Sequence, residues 1–157
     1  MFRAVVTPIP AAETRKITVD HCTDESRAIE NLLEVAKEGY CAVWICTTVN
    51  EAISRFQQLS RKLPSEDVLL FHSRFVAVHR NRIERRVLAT FGKGSSSGDR
   101  SGKVLVASEV VEQSHDLDFD YMVSDAAPID LVFQRAGRLQ RNDIRTARSF
   151  GAVLRRD

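Results

Sequence analysis

The sequence predicts an α/β domain built on a parallel sheet with helices on both faces, and three observations carry that prediction. Apolar runs of strand length alternate with amphipathic helical stretches along most of the chain. The runs, such as "CAVWIC" and "KVLVAS", are continuous rather than alternating, as in strands covered on both sides. Capping residues, glycines and prolines punctuate the changes from one pattern to the other. Alternation of this kind builds right-handed βαβ units.

The elements follow in order. "ESRAIENLLEVAKEG" places Ile29, Leu32, Leu33 and Ala36 on one helical face and Gly39 past its end, the signature of a glycine-capped amphipathic helix. "CAVWIC" is a buried strand. In "TTVNEAISRFQQLSRKL", Thr48 and Glu51 have capping-box spacing, and Ala52, Ile53, Phe56 and Leu59 keep the helical period. "DVLLFHS" reads as a strand, and "RNRIERRVLATFG" as a helix burying Ile83, Val87, Leu88 and Phe91. "KVLVAS" is a strand, "EVVEQS" a short helix and "DYMVSD" a further strand. "PIDLVFQRAGRL" is a helix with Pro128 in its first turn, and "RSFGAVL" a final strand.

The 157 residues suit a single domain over 1–157. Composition is that of a soluble globular protein, 43% hydrophobic and 28% charged. The N-terminal stretch lacks the apolar core of a secretory signal. Cys22, Cys41 and Cys46 form no C-x-x-C pair, and the last two flank "AVWI", which points to buried thiols in a reducing cytoplasm. His21, His72, His79 and His115 are scattered without zinc spacing. "GKGSSSGDRSGK", residues 92–103, reads as a flexible loop. It lacks the phosphate-loop pattern, because Gly98 and Gly102 are four apart and Val104 follows Lys103.

Net charge is only +2, yet basic residues cluster. One concentration is Arg80, Arg82, Arg85 and Arg86; another begins at "QRAGRLQR", residues 134–141. Local clusters in a near-neutral chain suggest a directed anionic partner. Ligands of open parallel sheets collect at the carboxyl ends of the strands. "TTVN", "HSRF", "SEVVEQSHDLDFD" and "SDAAPIDLVFQRAGRLQR" each follow a strand, so their polar groups converge on one edge. Arg135, Arg138 and Arg141 recur at intervals of three. Spacing alone leaves two uses open for them, a grip on phosphate or a solvated helix face.

"VASEVVEQSHDLDFDYMVSDAAPIDLVFQRAGRLQR" resembles motifs V and VI of superfamily 2 helicases. "EQSxDLDFD", "SDxAPIDL" and "QRAGRLxR" in this order are similar to the CRISPR-associated helicase–nuclease of type I systems. "FHSRF" followed by "RIERRVLATFGK" resembles the segment of that family between motifs IV and V, so the likeness runs from about Cys41 to Arg141. The resemblance implies the second RecA-like lobe of a helicase motor, a fragment of a larger chain.

Residue by residue, the resemblance implies that Arg138 and Arg141 reach the ATP γ-phosphate as arginine fingers. Gln134 lies at the nucleotide, joined by Arg135, and Asp116 lies near the ribose or the metal-bound phosphates. Thr47, Thr48 and Asn50 match motif IV. Ser108 stands where the family has a threonine that donates to a DNA phosphate. Arg74 tracks the strand, and Gln113 couples the two ligands. The Walker A lysine, the D-E-x-H box and the His-Asp nuclease belong to a first lobe and a nuclease domain of the same protein, which bind most of the ATP and Mg2+. The whole is then an ATP-dependent helicase and translocase on single-stranded DNA. It moves 3′ to 5′ and is recruited by an RNA-guided surveillance complex in antiviral defence. Alone, this chain is expected to hydrolyse nothing. Two other readings are a lobe of another superfamily 2 helicase, against which "EQSxDLDFD" argues, and a non-enzymatic nucleic-acid-binding module. The latter predicts tight, steeply salt-sensitive DNA binding by the arginine tail alone.

Overall fold

In the computed structural model, residues 17–113 and 116–139 are described in full, and 152–155 as backbone. The strands are β1 (Val19–His21), β2 (Ala42–Cys46), β3 (Val68–Phe71), β4 (Val104–Ser108), β5 (Tyr121–Asp125) and β6 (Ala152–Arg155). The helices are α1 (Glu25–Lys37), α2 (Val49–Ser60), α3 (Ala77–Phe91), α4 (Ser97–Arg100) and α5 (Ile129–Ala136). A 3-10 turn occupies Glu109–Gln113. The six strands form one sheet in the order β1-β6-β5-β2-β4-β3, and every pairing is parallel. The α/β parallel-sheet expectation holds.

Strand β2 sits in the middle and is fully buried, which is why "AVWIC" carries no polar alternation. Its side chains alternate between two cores. Ala42, Trp44 and Cys46 face a cluster with Leu32 of α1 and Leu59 of α2. Val43 and Ile45 face a second cluster with Val87 and Phe91 of α3. Each large side chain so buried stabilises the fold by roughly 1.5–3 kcal/mol, so this strand anchors both layers.

The caps are those the sequence announced. Thr48 Oγ1 accepts from Glu51 N at 3.2 Å while the Glu51 carboxylate accepts from Thr48 N at 2.9 Å. At the end of α1, Gly39 takes φ +84°. Gly39 N donates to Ala36 O and Tyr40 N to Val35 O, the paired bonds of a Schellman motif. Cys41 and Cys46 are buried free thiols, and burial first of all pushes both pKa values up to about 12.

Four details differ from expectation. Strand β1 was not foreseen, because its three exposed residues show no apolar run. Helix α3 begins at Ala77 and leaves Leu88 38% exposed, because its buried face is set by Val87 and Phe91. The final strand begins at Ala152. The stretch 92–103, read as a flexible loop from its glycines and serines, contains α4. Ser96 and Asp99 cap that helix, and the buried Arg100 ties it to Asp118 at 3.2 Å. No helix among the described residues is long and apolar enough to cross a membrane.

Candidate functional site

All strands end at the same edge, so the segments after β2, β3, β4 and β5 meet there. Those after β2, β3 and β4 frame a cleft of about 360 Å³, with Thr47 after β2, Ser73 after β3 and Ser108 ending β4 among its lining residues, and the segment after β5 does not line it. The 3-10 turn supplies Glu109, Val110, Glu112 and Gln113, and Arg80 of α3 closes the rim. Arg80 Nη2 donates to Gln113 Oε1 at 3.3 Å. Three hydroxyls, a guanidinium and an amide thus line one concavity together with the carboxylates of Glu109 and Glu112, a mixed set whose donors suit phosphate oxygens. Outside the cleft, Arg74 Nη1 donates to Asn50 Oδ1 at 2.7 Å, joining the turn after β3 to the first turn of α2. His72 fixes that turn, because its Nδ1 accepts from Arg74 N at 3.2 Å and its ring stacks on Phe75. Burial, then the Arg74 charge, lowers the His72 pKa and keeps the ring a neutral acceptor.

Beneath the cleft lies a buried polar hub. Asp125, at the carboxyl end of β5, is 1% exposed. It accepts from Trp44 Nε1 at 3.2 Å, Thr47 N at 3.1 Å and Arg55 Nη1 at 2.6 Å. Arg55 of α2 is 2% exposed and lies 4.5 Å over the Trp44 ring. Burial opposes its charge, but bonds to Cys46 and Asp125 outweigh burial and raise its pKa. The hub therefore fixes the backbone of Thr47, a cleft residue, through a fully satisfied ion pair.

The two described arginines of the last motif part company. Helix α5 ends at Ala136, with Gly137 as its C-cap and Pro128 as its N-cap rather than its first turn. Arg135 points inward and is 1% exposed. Its Nε donates to Glu112 Oε1 at 2.7 Å, and its Nη1 to Ser124 Oγ at 2.8 Å and Asp125 O at 3.2 Å. Arg135 is thus a brace between α5, β5 and the 3-10 turn, and these internal bonds use the donors expected at a nucleotide. Arg138 lies beyond the helix, 8% exposed, and its Nη2 donates to Glu112 O at 2.6 Å. One residue, Glu112, therefore holds Arg135 by its carboxylate and Arg138 by its carbonyl.

The remaining expected residues fall as follows. Thr47, Thr48, Asn50, Arg74 and Gln113 are exposed at the strand edge, and Ser108 is buried at the cleft floor. Gln134 and Asp116 are exposed as well, but Gln134 lies toward the far end of α5, and Asp116 adjoins Leu117, which bridges Gly92 after the last turn of α3. Arg141 lies outside the described residues. Five positions were not foreseen from the sequence. Ser73 and Arg80 were in view, one inside "HSRF" and one inside a basic cluster, but neither had a spacing signal. Glu112 and the Arg55–Asp125 pair were invisible, because their partners stand 23 to 70 positions away in sequence.

Residues 38–144 match the family described as CRISPR-associated nuclease/helicase Cas3, C-terminal. The chain is 40% identical over 116 residues to the CRISPR-associated endonuclease/helicase Cas3 of Escherichia coli K12, covering 73% of this chain and 13% of that protein. The crystal structure of T. fusca Cas3-ATP superposes with a TM-score of 0.81 at 35% identity, over 96% of this chain and 19% of that one. A chain of a CRISPR RNA-guided surveillance complex in a pre-nicking state gives 0.76 at 34% identity, over 96% of this chain and 20% of that one. This chain therefore spans about an eighth to a fifth of the proteins it matches. From the matched residues, the shared parallel sheet and the extent of the superposition, the chain belongs to the Cas3 family, as the RecA-like C-terminal helicase lobe of the CRISPR-associated helicase–nuclease of type I systems.

Proposed function

We propose that this lobe is half of an ATP-dependent motor that moves along single-stranded DNA in CRISPR antiviral defence. In that motor Arg138, together with Arg141, serves a nucleotide shared with a first lobe of the same protein. One observation carries the reading. The 3-10 turn Glu109–Gln113 lines the cleft with Glu109, Val110, Glu112 and Gln113, and Glu112 also holds Arg135 and Arg138. A single short segment thus joins the arginine of the nucleotide side to the floor of the strand side.

The roles follow from this placement. Thr47, Ser73 and Ser108 offer hydroxyls to backbone phosphates without reading bases, as a motor that must pass any sequence requires. Arg138 donates to the neutral carbonyl of Glu112. A phosphate is a stronger acceptor for a guanidinium than a carbonyl, so nucleotide between the lobes draws Arg138 off Glu112 O and releases one tether on the turn. Gln134 and Asp116 are both exposed, and in this reading they meet the nucleotide. Mg-ATP, held mainly by the first lobe, would supply the phosphoryl-transfer energy. The lobe alone has no turnover of its own, and recruitment of the whole protein is by an RNA-guided surveillance complex.

The test joins this lobe to a first lobe and compares Arg138→Ala with the parent. DNA-stimulated ATP turnover should fall by about 10³-fold or more, the scale of an arginine finger, while DNA binding is largely kept. Turnover that survives Arg138→Ala unchanged removes the finger assignment.

A further inference from the structure

Among the described residues, three buried arginines are matched by carboxylates, and a fourth, Arg138, donates to a carbonyl. Arg55 meets Asp125, Arg100 meets Asp118 and Arg135 meets Glu112, each at 2.6–3.2 Å. Helix α3 departs from that habit. Among the described residues, none of its exposed Arg82, Arg85 and Arg86 has an ion-pair partner. The helix is also thinly seated, since only Val87 and Phe91 of its fifteen residues are buried.

The unpaired charge has a shape. His79, Arg82, Ile83 and Arg86 stand at i, i+3, i+4 and i+7, so they share one helical face, and they line a groove of about 320 Å³. Seven residues of helix span roughly 10 Å. Two guanidinium forks flank the half-buried, apolar Ile83 along that length. His79 directly precedes Arg80, which reaches Gln113 at the rim of the cleft, so the groove begins in the helical turn that borders the strand edge. An acidic polypeptide would satisfy the charge but has no use for the neighbouring hydroxyl-lined cleft. A nucleic-acid strand uses both, with phosphates on the arginines and a sugar or base face on Ile83.

We propose that the His79–Arg82–Ile83–Arg86 groove is a second anion track, which binds the phosphate backbone of a single strand next to the cleft. This inference rests on the reading of the cleft as a strand-binding site. Two phosphates held by Arg82 and Arg86 release counterions, each contributing roughly 0.7 to the slope of log affinity against log salt for a single strand.

The experiment measures binding of fluorescent oligothymidylate, roughly 16 nucleotides long, to the full 157-residue chain by anisotropy over a range of salt. Arg82→Gln with Arg86→Gln should lower the salt slope by about 1.4, and Arg82→Lys with Arg86→Lys should keep it. Ser108→Ala, a neutral change in the cleft, should weaken binding without altering the slope. A slope unmoved by the glutamine pair, with Ser108→Ala still weakening binding, overturns the groove and leaves the cleft reading standing. A lowered slope with Ser108→Ala silent upholds the groove and removes the cleft reading. No binding by the parent chain overturns both, and turns α3 over to an acidic protein partner.

Discussion

Asp125, 1% exposed, accepts from Trp44, Thr47 and Arg55, and the buried Arg55 loses its nearest carboxylate once Asp125 is gone. The more distant carboxylates of Glu25 and Glu51, at 3.7 and 3.9 Å, leave it only loose partners. Removing one member of a buried pair typically costs 3–5 kcal/mol, because the survivor is a buried charge without compensation. Asp125→Ala should therefore lower the unfolding free energy by about that amount in urea titration of the chain. Asp125→Asn, which keeps one acceptor oxygen, for Trp44 or for Thr47 but not for both, should cost less. Equal midpoints for Asp125→Ala and the parent would show that the hub is not a folding determinant. The same hub fixes the amide of Thr47, so a variant that still folds should show weakened strand binding at the cleft.

At the scale of elements, local signals were legible and distant ones were not. Helices α1 and α2 announced themselves through Gly39 and the Thr48–Glu51 box, since caps act within a few residues. The strands β2, β4 and β5 were plain because two-sided burial leaves continuous apolar runs. Strand β1 escaped because, among the described residues, it pairs with β6 alone, more than a hundred residues later. The edge that gathers Thr47, Ser108 and Gln113 followed from topology alone. The inward turn of Arg135 did not, because it depends on Glu112 and Ser124, which no helical period records. Residues 92–103 make the same point. Their composition is that of a linker, yet Arg100 donates to Phe91 O, Gly92 O and Ser95 Oγ, besides pairing with Asp118. One buried side chain thus outweighs a run of glycines and serines. Arg100→Ala should convert the stretch into a protease-sensitive loop, with early cleavage between Gly92 and Lys103 that the parent resists in limited proteolysis. Equal cleavage rates in both chains would mean that Arg100 does not hold it.

For the whole molecule, the order β1-β6-β5-β2-β4-β3 makes the C-terminal strand an interior strand of the sheet. Strand β6 pairs with β1 over Val19–His21 and with β5 over Met122–Asp125. It thus links the first described strand to the strand that carries Ser124 and Asp125, the supports of Arg135 and Thr47. Without β6, β1 loses its partner strand, and β5 becomes an open edge whose five residues are all buried in the intact sheet. An apolar edge with unpaired backbone groups recruits other strands. A chain ending at Gly151 should therefore melt lower than the full chain and self-associate on size exclusion. Val153→Pro tests the same pairing more gently, since proline removes one ladder donor in the middle of β6. Both changes should also weaken strand binding, because they loosen β5 and, through Asp125, the backbone of Thr47. If the shortened chain remains monomeric and melts with the parent, the sheet is complete at β5, and the Asp125 hub stands without help from β6.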